Sequence, residues 1–453
     1  MILTILFGVI GFGIMVFVHE LGHFLAAKRL GIEVEAFSLG WGRRIVGFTY
    51  KGTDYRLSLI PFGGYCKMKG EVPLSLGRGE EANYHPVPGS FLAAAPWKRI
   101  VVAASGPLAN VLFAVLVLSA IWWIGFHIYS DDSRIVLASD YTLDRFPSTP
   151  PATRAGLLTG DRVLAISGAA VRNFQDLLET VASSPGATLS FTIERGGRRL
   201  ALPVQTELDR ESGVGRIGVY SWRDPVVDRV EPGSSAAVAG IQPGDRLLEA
   251  GGVALAQIID LFQVLAGKPS ALRLRLQRGS SVLERTLVVR YSAEGAPQLG
   301  LSFRVNAYSS PRLGPLGALN RGLKETWSTI ALTVRGFGLL FRGVSLRHAV
   351  AGPLRITYYV GSVASSGFAQ GVSQGLESYF RFLCLLSIVL FLMNLLPIPG
   401  LDGGQVLVFL IEIFRRRPTS PRIIARIQAV SFSLLIMVAV AVTASDILYF
   451  LGR

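Results

Sequence analysis

The chain has 453 residues, 50% of them hydrophobic, and a formal net charge of +14 from 45 Lys and Arg against 31 Asp and Glu. With a mean hydropathy of +0.44 it is too apolar for an ordinary soluble protein. The basic excess carries no nucleic-acid motif and gathers in juxtamembrane clusters, as expected of loops beside an anionic leaflet, so no nucleic-acid partner is expected.

Four apolar blocks, at residues 2–27, 100–124, 380–396 and 429–450, are each long enough to cross a bilayer, which takes about 20 helical residues. No Lys or Arg precedes Lys28, so the first block lacks the basic start of a cleaved signal peptide and reads as a retained span. Lys28, Arg29, Arg43, Arg44, Lys98 and Arg99 mark the first loop as cytoplasmic. Four spans then place both termini and the long 126–379 region outside and the Arg415-Arg416-Arg417 turn inside. Cys66 falls in the first loop and Cys384 in the third span, so no disulfide is predicted.

The first span contains His19-Glu20-Leu21-Gly22-His23. On a helix, residues four apart share a face, so the two imidazoles converge on one point and Glu20 can reach a water held there. Charged side chains at membrane depth cost roughly 2.5–3.5 kcal/mol each on insertion scales, which points to catalysis as the reason for keeping them. The loop that follows alternates like strand from 34 to 69, with Lys51-Gly52-Thr53-Asp54 as a hairpin turn.

Further along, Ala155-Gly156-Leu157-Leu158-Thr159-Gly160-Asp161 recurs as Ala239-Gly240-Ile241-Gln242-Pro243-Gly244-Asp245, a long-period repeat that means two similar domains. Each copy resembles a bacterial PDZ domain; the copies occupy 127–215 and 216–306. Such a fold adds a peptide strand to a sheet edge. Without an obvious Gly-Leu-Gly-Phe-type loop in either copy, a steric filter is favoured over peptide capture. Residues 307–375 read as an interfacial amphipathic region, because 316–343 is too interrupted by Arg and Lys for a span.

A hydrolytic zinc site needs three protein ligands and an open position. His85, His127 and His348 read as surface histidines. Asp402 lies in Asn394-Leu395-Leu396-Pro397-Ile398-Pro399-Gly400-Leu401-Asp402-Gly403-Gly404, where the prolines stop the third span and the glycines allow close backbone approach. At the cytoplasmic end it would complete a His, His, Asp set; a solvated Asp after a helix-ending turn is the alternative. The Asn394 amide, donor and acceptor at once, suits it to clamp an extended backbone.

Together, His-Glu-x-x-His in the first span and Asn-x-x-Pro-x-Pro-x-Leu-Asp-Gly-Gly after the third resemble the site-2 protease family of intramembrane zinc metalloproteases. Tandem PDZ copies between spans two and three are similar to its bacterial regulator-of-sigma-E branch, as are Gly63-Gly64-Tyr65-Cys66-Lys67-Met68 and Ser105-Gly106-Pro107-Leu108-Ala109-Asn110. Gly400 and Cys66 stand where that pattern carries aliphatic residues.

The resemblance implies a polytopic α-helical membrane protein with four transmembrane helices, a membrane-associated β-sheet and two tandem periplasmic PDZ domains. Its expected parts are helix 1 with the His motif at 1–27, the cytoplasmic β region at 28–97, helix 2 at 98–125, helix 3 with the Asp402 motif at 376–404, a basic loop at 405–426 and helix 4 at 427–451. It implies one zinc ion on His19, His23 and Asp402, Glu20 as general base, and substrate binding by Asn394, Gly63, Gly64 and Tyr65. The expected setting is a bacterial inner membrane with the site near the cytoplasmic side. Membrane lipid surrounds it, and its substrates are single-span proteins such as an anti-sigma factor, together with remnant signal peptides. Peptides are candidate ligands of the PDZ copies. A PDZ-bearing scaffold or chaperone with a non-catalytic zinc site is the alternative.

Overall fold

The computed structural model describes residues 2–70, 87–141, 149–209, 213–292, 295–340, 352–417, 419 and 421–451; His85 and His348 lie outside the described residues. Two compact units form, one drawn from the chain up to Phe126 and again from Ser310 onward, the other from His127–Ser309.

The first unit is built on α1 (Ile2–Arg29), α2 (Pro96–Ile124), α3 (Pro315–Leu340), α4 (Pro353–Gln370), α5 (Val372–Asn394), α6 (Asp402–Arg415) and α7 (Pro421–Phe450). Among the described residues four helices are long and apolar enough to cross a membrane: α1, α2, α5 and Ala429–Phe450 of α7. Apolar side chains give no preference between lipid and a neighbouring helix, so small residues decide where the helices touch. A Cβ on Gly22 would lie 2.3 Å from the Ser105 carbonyl of α2, and one on Gly8 would lie 2.1 Å from the Thr357 carbonyl of α4.

In the 307–375 region the described residues form two helices that pack within the helical unit, α3 along α2 and α4 against α1 and α5. Gly361, Ala364 and Gly367 are buried on α4, and such small residues lower the hydropathy of a segment while permitting close packing. Two buried ion pairs tie the bundle. Asp446 of α7 bonds the Arg355 guanidinium at 2.6 Å and accepts the backbone N–H groups of Gly352 and Arg355, capping α4. Glu412 of α6 bonds Arg99 of α2 at 2.5 Å.

Between α1 and α2 run β1 (Val34–Tyr50) and β2 (Thr53–Met68), joined by Lys51 and Gly52 at φ +46° and +75°, the pair of left-handed residues a two-residue hairpin requires. Both strands bend. Residues 36–39 pair with 54–57 on one edge and with 64–67 on the other, while 44–50 pair with the far edge of 53–58. This folding-over leaves 64–67 as a sheet edge.

The second unit holds the two copies. In the first, Ala169–Ala170, Arg162–Ile166, Thr188–Arg195 and Arg198–Gln205 lie side by side; in the second, Val253–Ala254, Arg246–Ala250, Ala271–Arg278 and Ser281–Val288 repeat the order. Each sheet carries a nine-residue helix, Phe174–Ala182 or Ile258–Ala266, and a four-residue helix, Pro151–Arg154 or Ser235–Val238, around its own apolar core. The repeated aspartates are structural. Asp161 takes a fork from Arg195 and Asp245 one from Arg278, each guanidinium also reaching the carbonyl of Gly156 or Gly240. Burial alone would raise the Asp245 carboxyl, but the Arg278 fork and the Gln242 N–H hold it below its usual value.

The strand Val219–Ser221 pairs with Ile135–Leu137 and so closes the first copy, which moves the junction past the expected 215/216 boundary. Tyr141 donates to Asp260 Oδ1 at 2.6 Å and accepts from the Gln257 amide at 2.7 Å, linking the copies; burial and the Asp260 carboxylate push its phenol up to about 12. His127–Ser130 pairs with Asn306–Ser309, so the unit's first and last strands are neighbours.

Candidate active site

Unbroken helix across Ile2–Arg29 stacks His19 and His23 on one buried face of α1. Their Nε2 atoms are 3.2 Å apart; His19 Nε2 is 3.2 Å from Asp402 Oδ2, and His23 Nε2 is 3.5 Å from Asp402 Oδ1. Among the described residues this is the one group of three His, Cys, Asp or Glu side chains that converges in this way.

The end of α5 explains how Asp402 arrives there. Pro397 and Pro399 supply no N–H, and the chain turns through the Ile398 N–H to Leu396 carbonyl bond (2.7 Å) and the Leu401 N–H to Ile398 carbonyl bond (3.1 Å). Gly400 adopts φ +93°. The next helix then starts directly beneath the turn: a Cβ on Gly403 would lie 2.3 Å from the Leu395 carbonyl and one on Gly404 2.2 Å from that of Ile398. Asp402 is the first residue of α6.

The donor set fits a zinc ion. His23 Nδ1 lies 2.8 Å from the Val102 carbonyl, which can only accept, so the proton sits on Nδ1 and Nε2 faces the cluster as a lone pair. Asp402 Oδ2 is buried without a hydrogen-bond partner. Lone pairs facing one another in a buried place call for a cation. Separations of 3.2, 3.2 and 3.5 Å also match the edge of about 3.3 Å of a tetrahedron with ligand distances of about 2.0–2.1 Å.

Glu20 turns toward the sheet. Its carboxylate accepts the backbone N–H of Cys66 and lies within electrostatic reach of His19, His23 and Asp402. The glycine at 64 belongs to the same contact: a Cβ there would meet Val16 at 3.3 Å and Glu20 Cγ at 3.6 Å. Gly63, at φ +89°, lies under the Trp41 indole, and Tyr65 pairs with Ser38 with its ring 5.3 Å from Trp41. Asn394 ends α5, where the loop to Asp402 begins. His127 is exposed on its strand and is not among the converging side chains.

Sequence reasoning gave no role to α2, yet α2 lines the back of the site. Besides the Val102 carbonyl it supplies Gly106, where a Cβ would lie 2.2 Å from His23 Nε2, and Asn110, whose amide is 3.2 Å from His19 Nδ1. An asparagine in the middle of an apolar span was the available signal.

Similarity to known proteins runs along nearly the whole chain. The sequence profile of peptidase family M50 matches residues 7–438. A Treponema pallidum protein whose name assigns it to the zinc metalloproteases is 35% identical over 447 residues, covering 98% of this chain and 99% of the relative. The regulator of sigma-E protease RseP of Escherichia coli is 28% identical over 441 residues, 92% of each chain, and the regulator of sigma E protease of Salmonella typhi is 29% identical over 437 residues, again 92% of each. A crystal structure of the PDZ domain of an SdrC-like protein from Listeria monocytogenes aligns with 21% of this chain and 90% of its own, at 20% identity and a TM-score of 0.17. The chain therefore belongs to peptidase family M50, the site-2 proteases, and is a zinc metalloprotease.

Proposed function

We propose that the enzyme cuts single-span membrane proteins within or beside the bilayer, at a site made by α1, the α5–α6 turn and the edge of β2. The observation that carries this reading is the convergence of Asp402 with His19 and His23, two buried residues of a helix long and apolar enough to span a membrane. His19, His23 and Asp402 hold one zinc ion. Bound there, zinc supplies a Lewis acid for a water and for the scissile carbonyl. Glu20 takes the proton of the attacking water and delivers it to the leaving amine, a role that contributes about 10²–10⁴-fold in rate.

A transmembrane helix hides its peptide carbonyls in its own hydrogen bonds, so it must be unwound and its freed groups satisfied again. The 64–67 edge offers the partner: an unwound segment adds beside it as a further strand, against Gly64 and Tyr65 of the edge and Gly63 just before it. The bond from Cys66 to Glu20 puts this edge beside the general base. Asn394 holds the extended backbone from the other side.

The basic clusters at Lys28, Arg29, Arg43 and Arg44, at Lys98 and Arg99, and at Arg415–Arg417 favour an inner-membrane orientation with this sheet cytoplasmic and the two copies periplasmic. Their matching sheet orders, each with a short and a longer helix, support reading them as PDZ domains, and we take them to act as a size filter for substrates whose outer part has already been removed. An anti-sigma factor trimmed in this way fits, as do remnant signal peptides.

The test is bound zinc and cleavage of a single-span substrate in detergent or vesicles, for the wild type and Glu20→Gln. We expect zinc retained and cleavage reduced at least ~10²-fold. Undiminished cleavage in the variant would remove Glu20 from the mechanism.

A further inference from the structure

We infer that Asn110 is a positioning residue that sets the tautomer and ring orientation of His19; the inference rests on the zinc reading above. Asn110 and Ser387 are both 0% exposed, Asn110 in the middle of α2 and Ser387 on α5. Asn110 Nδ2 lies 3.2 Å from His19 Nδ1, and Asn110 Oδ1 accepts from Ser387 Oγ at 3.3 Å, so the orientation that the cluster's chemistry requires exchanges the two ends of the amide. The amide is thus fixed between the two helices.

The chemistry of the cluster orients that amide. His19 Nε2 faces Asp402 and His23, so it must offer a lone pair to a cation, and the imidazole proton must then sit on Nδ1. Nδ1–H needs an acceptor, and Asn110 is placed to supply one through its carbonyl oxygen, which turns the amide NH2 toward Ser387 Oγ. The oxygen and nitrogen of an amide have nearly the same shape, so this orientation fits the same space. Each histidine is then held from behind by α2, His23 through the Val102 carbonyl and His19 through Asn110. Partners of this kind fix ligand orientation and raise imidazole basicity, and their loss costs about 10–100-fold in metal affinity.

The test is zinc affinity of the full-length purified protein, by chelator competition, for wild type, Asn110→Leu and Asn110→Asp, with cleavage measured in parallel. Leucine removes the acceptor, so we expect affinity to fall about 10–100-fold; aspartate keeps an acceptor oxygen and should restore it to within a few-fold of wild type. The d–d absorption of the cobalt-substituted protein should shift for the leucine variant and stay near wild type for the aspartate one. Wild-type zinc affinity in Asn110→Leu, or affinity in Asn110→Asp as weak as in a folded leucine variant, would overturn the role. If the leucine variant does not fold, Asn110→Asp decides alone: affinity near wild type supports the acceptor, and a loss of ten-fold or more overturns it. A wild-type protein that binds no zinc would instead overturn the reading on which this one depends.

Discussion

Gly106 has no room for even a methyl group, because a Cβ at that position would lie 2.2 Å from His23 Nε2. The nearest relief is rotation of the imidazole, which takes its lone pair off the point shared with His19 and Asp402. Gly106→Ala should therefore weaken zinc binding at least ~10-fold while the protein still inserts and folds, as measured by metal content and detergent melting. Unchanged zinc affinity would mean that the ring tolerates the displacement. The convergence of His19, His23 and Asp402, with Glu20 beside them, was legible in the sequence through residue type and spacing. Gly106 and Asn110 could not be assigned in the same way. Their importance comes from which face of α2 meets α1, and a helix that is apolar all round gives periodicity no direction.

At the level of elements, hydropathy picked out α1, α2, α5 and α7, while the packing of α4 against α1 rests on small residues that hydropathy does not register. Gly361 of α4 crosses α1 so closely that a Cβ would lie 1.7 Å from the Thr4 carbonyl, a backbone atom that no rotamer change can move aside. Gly361→Leu should lower stability by about 1–3 kcal/mol or more, read as a lower melting temperature in detergent, and should reduce cleavage with it. A melting point equal to that of wild type would imply that α4 stands off α1. The folded-over sheet was legible only as a hairpin. Its turn is written in Lys51-Gly52, but the second pairing of 36–39 with 64–67 is a long-range contact that alternation alone does not encode.

For the molecule as a whole, the repeat was legible because the Ala-Gly turn and the buried Asp recur together, and the structure gives each Asp the same work of fixing an arginine to that turn. The first and last strands of the second unit pair directly, with His127 opposite Ser309. In the first unit the flanking residues also meet: the Phe126 N–H donates to Ser310 Oγ and the Ser310 N–H to the Phe126 carbonyl, both at 2.9 Å. Replacing residues 127–309 by a turn of about two residues should thus leave the helical unit folded, with zinc and Glu20-dependent cleavage intact. If the removed unit is a size filter, the shortened enzyme should cleave a substrate with a folded outer domain that the complete chain refuses. The same refusal in the shortened enzyme would place the discrimination elsewhere.

That side-by-side arrangement of ends has an evolutionary consequence. A segment that leaves and rejoins its host at neighbouring points can be enlarged, duplicated or exchanged without threading the rest of the chain differently. A second copy of the repeat fits within such a segment without any change in the path of the helices that carry His19, His23 and Asp402.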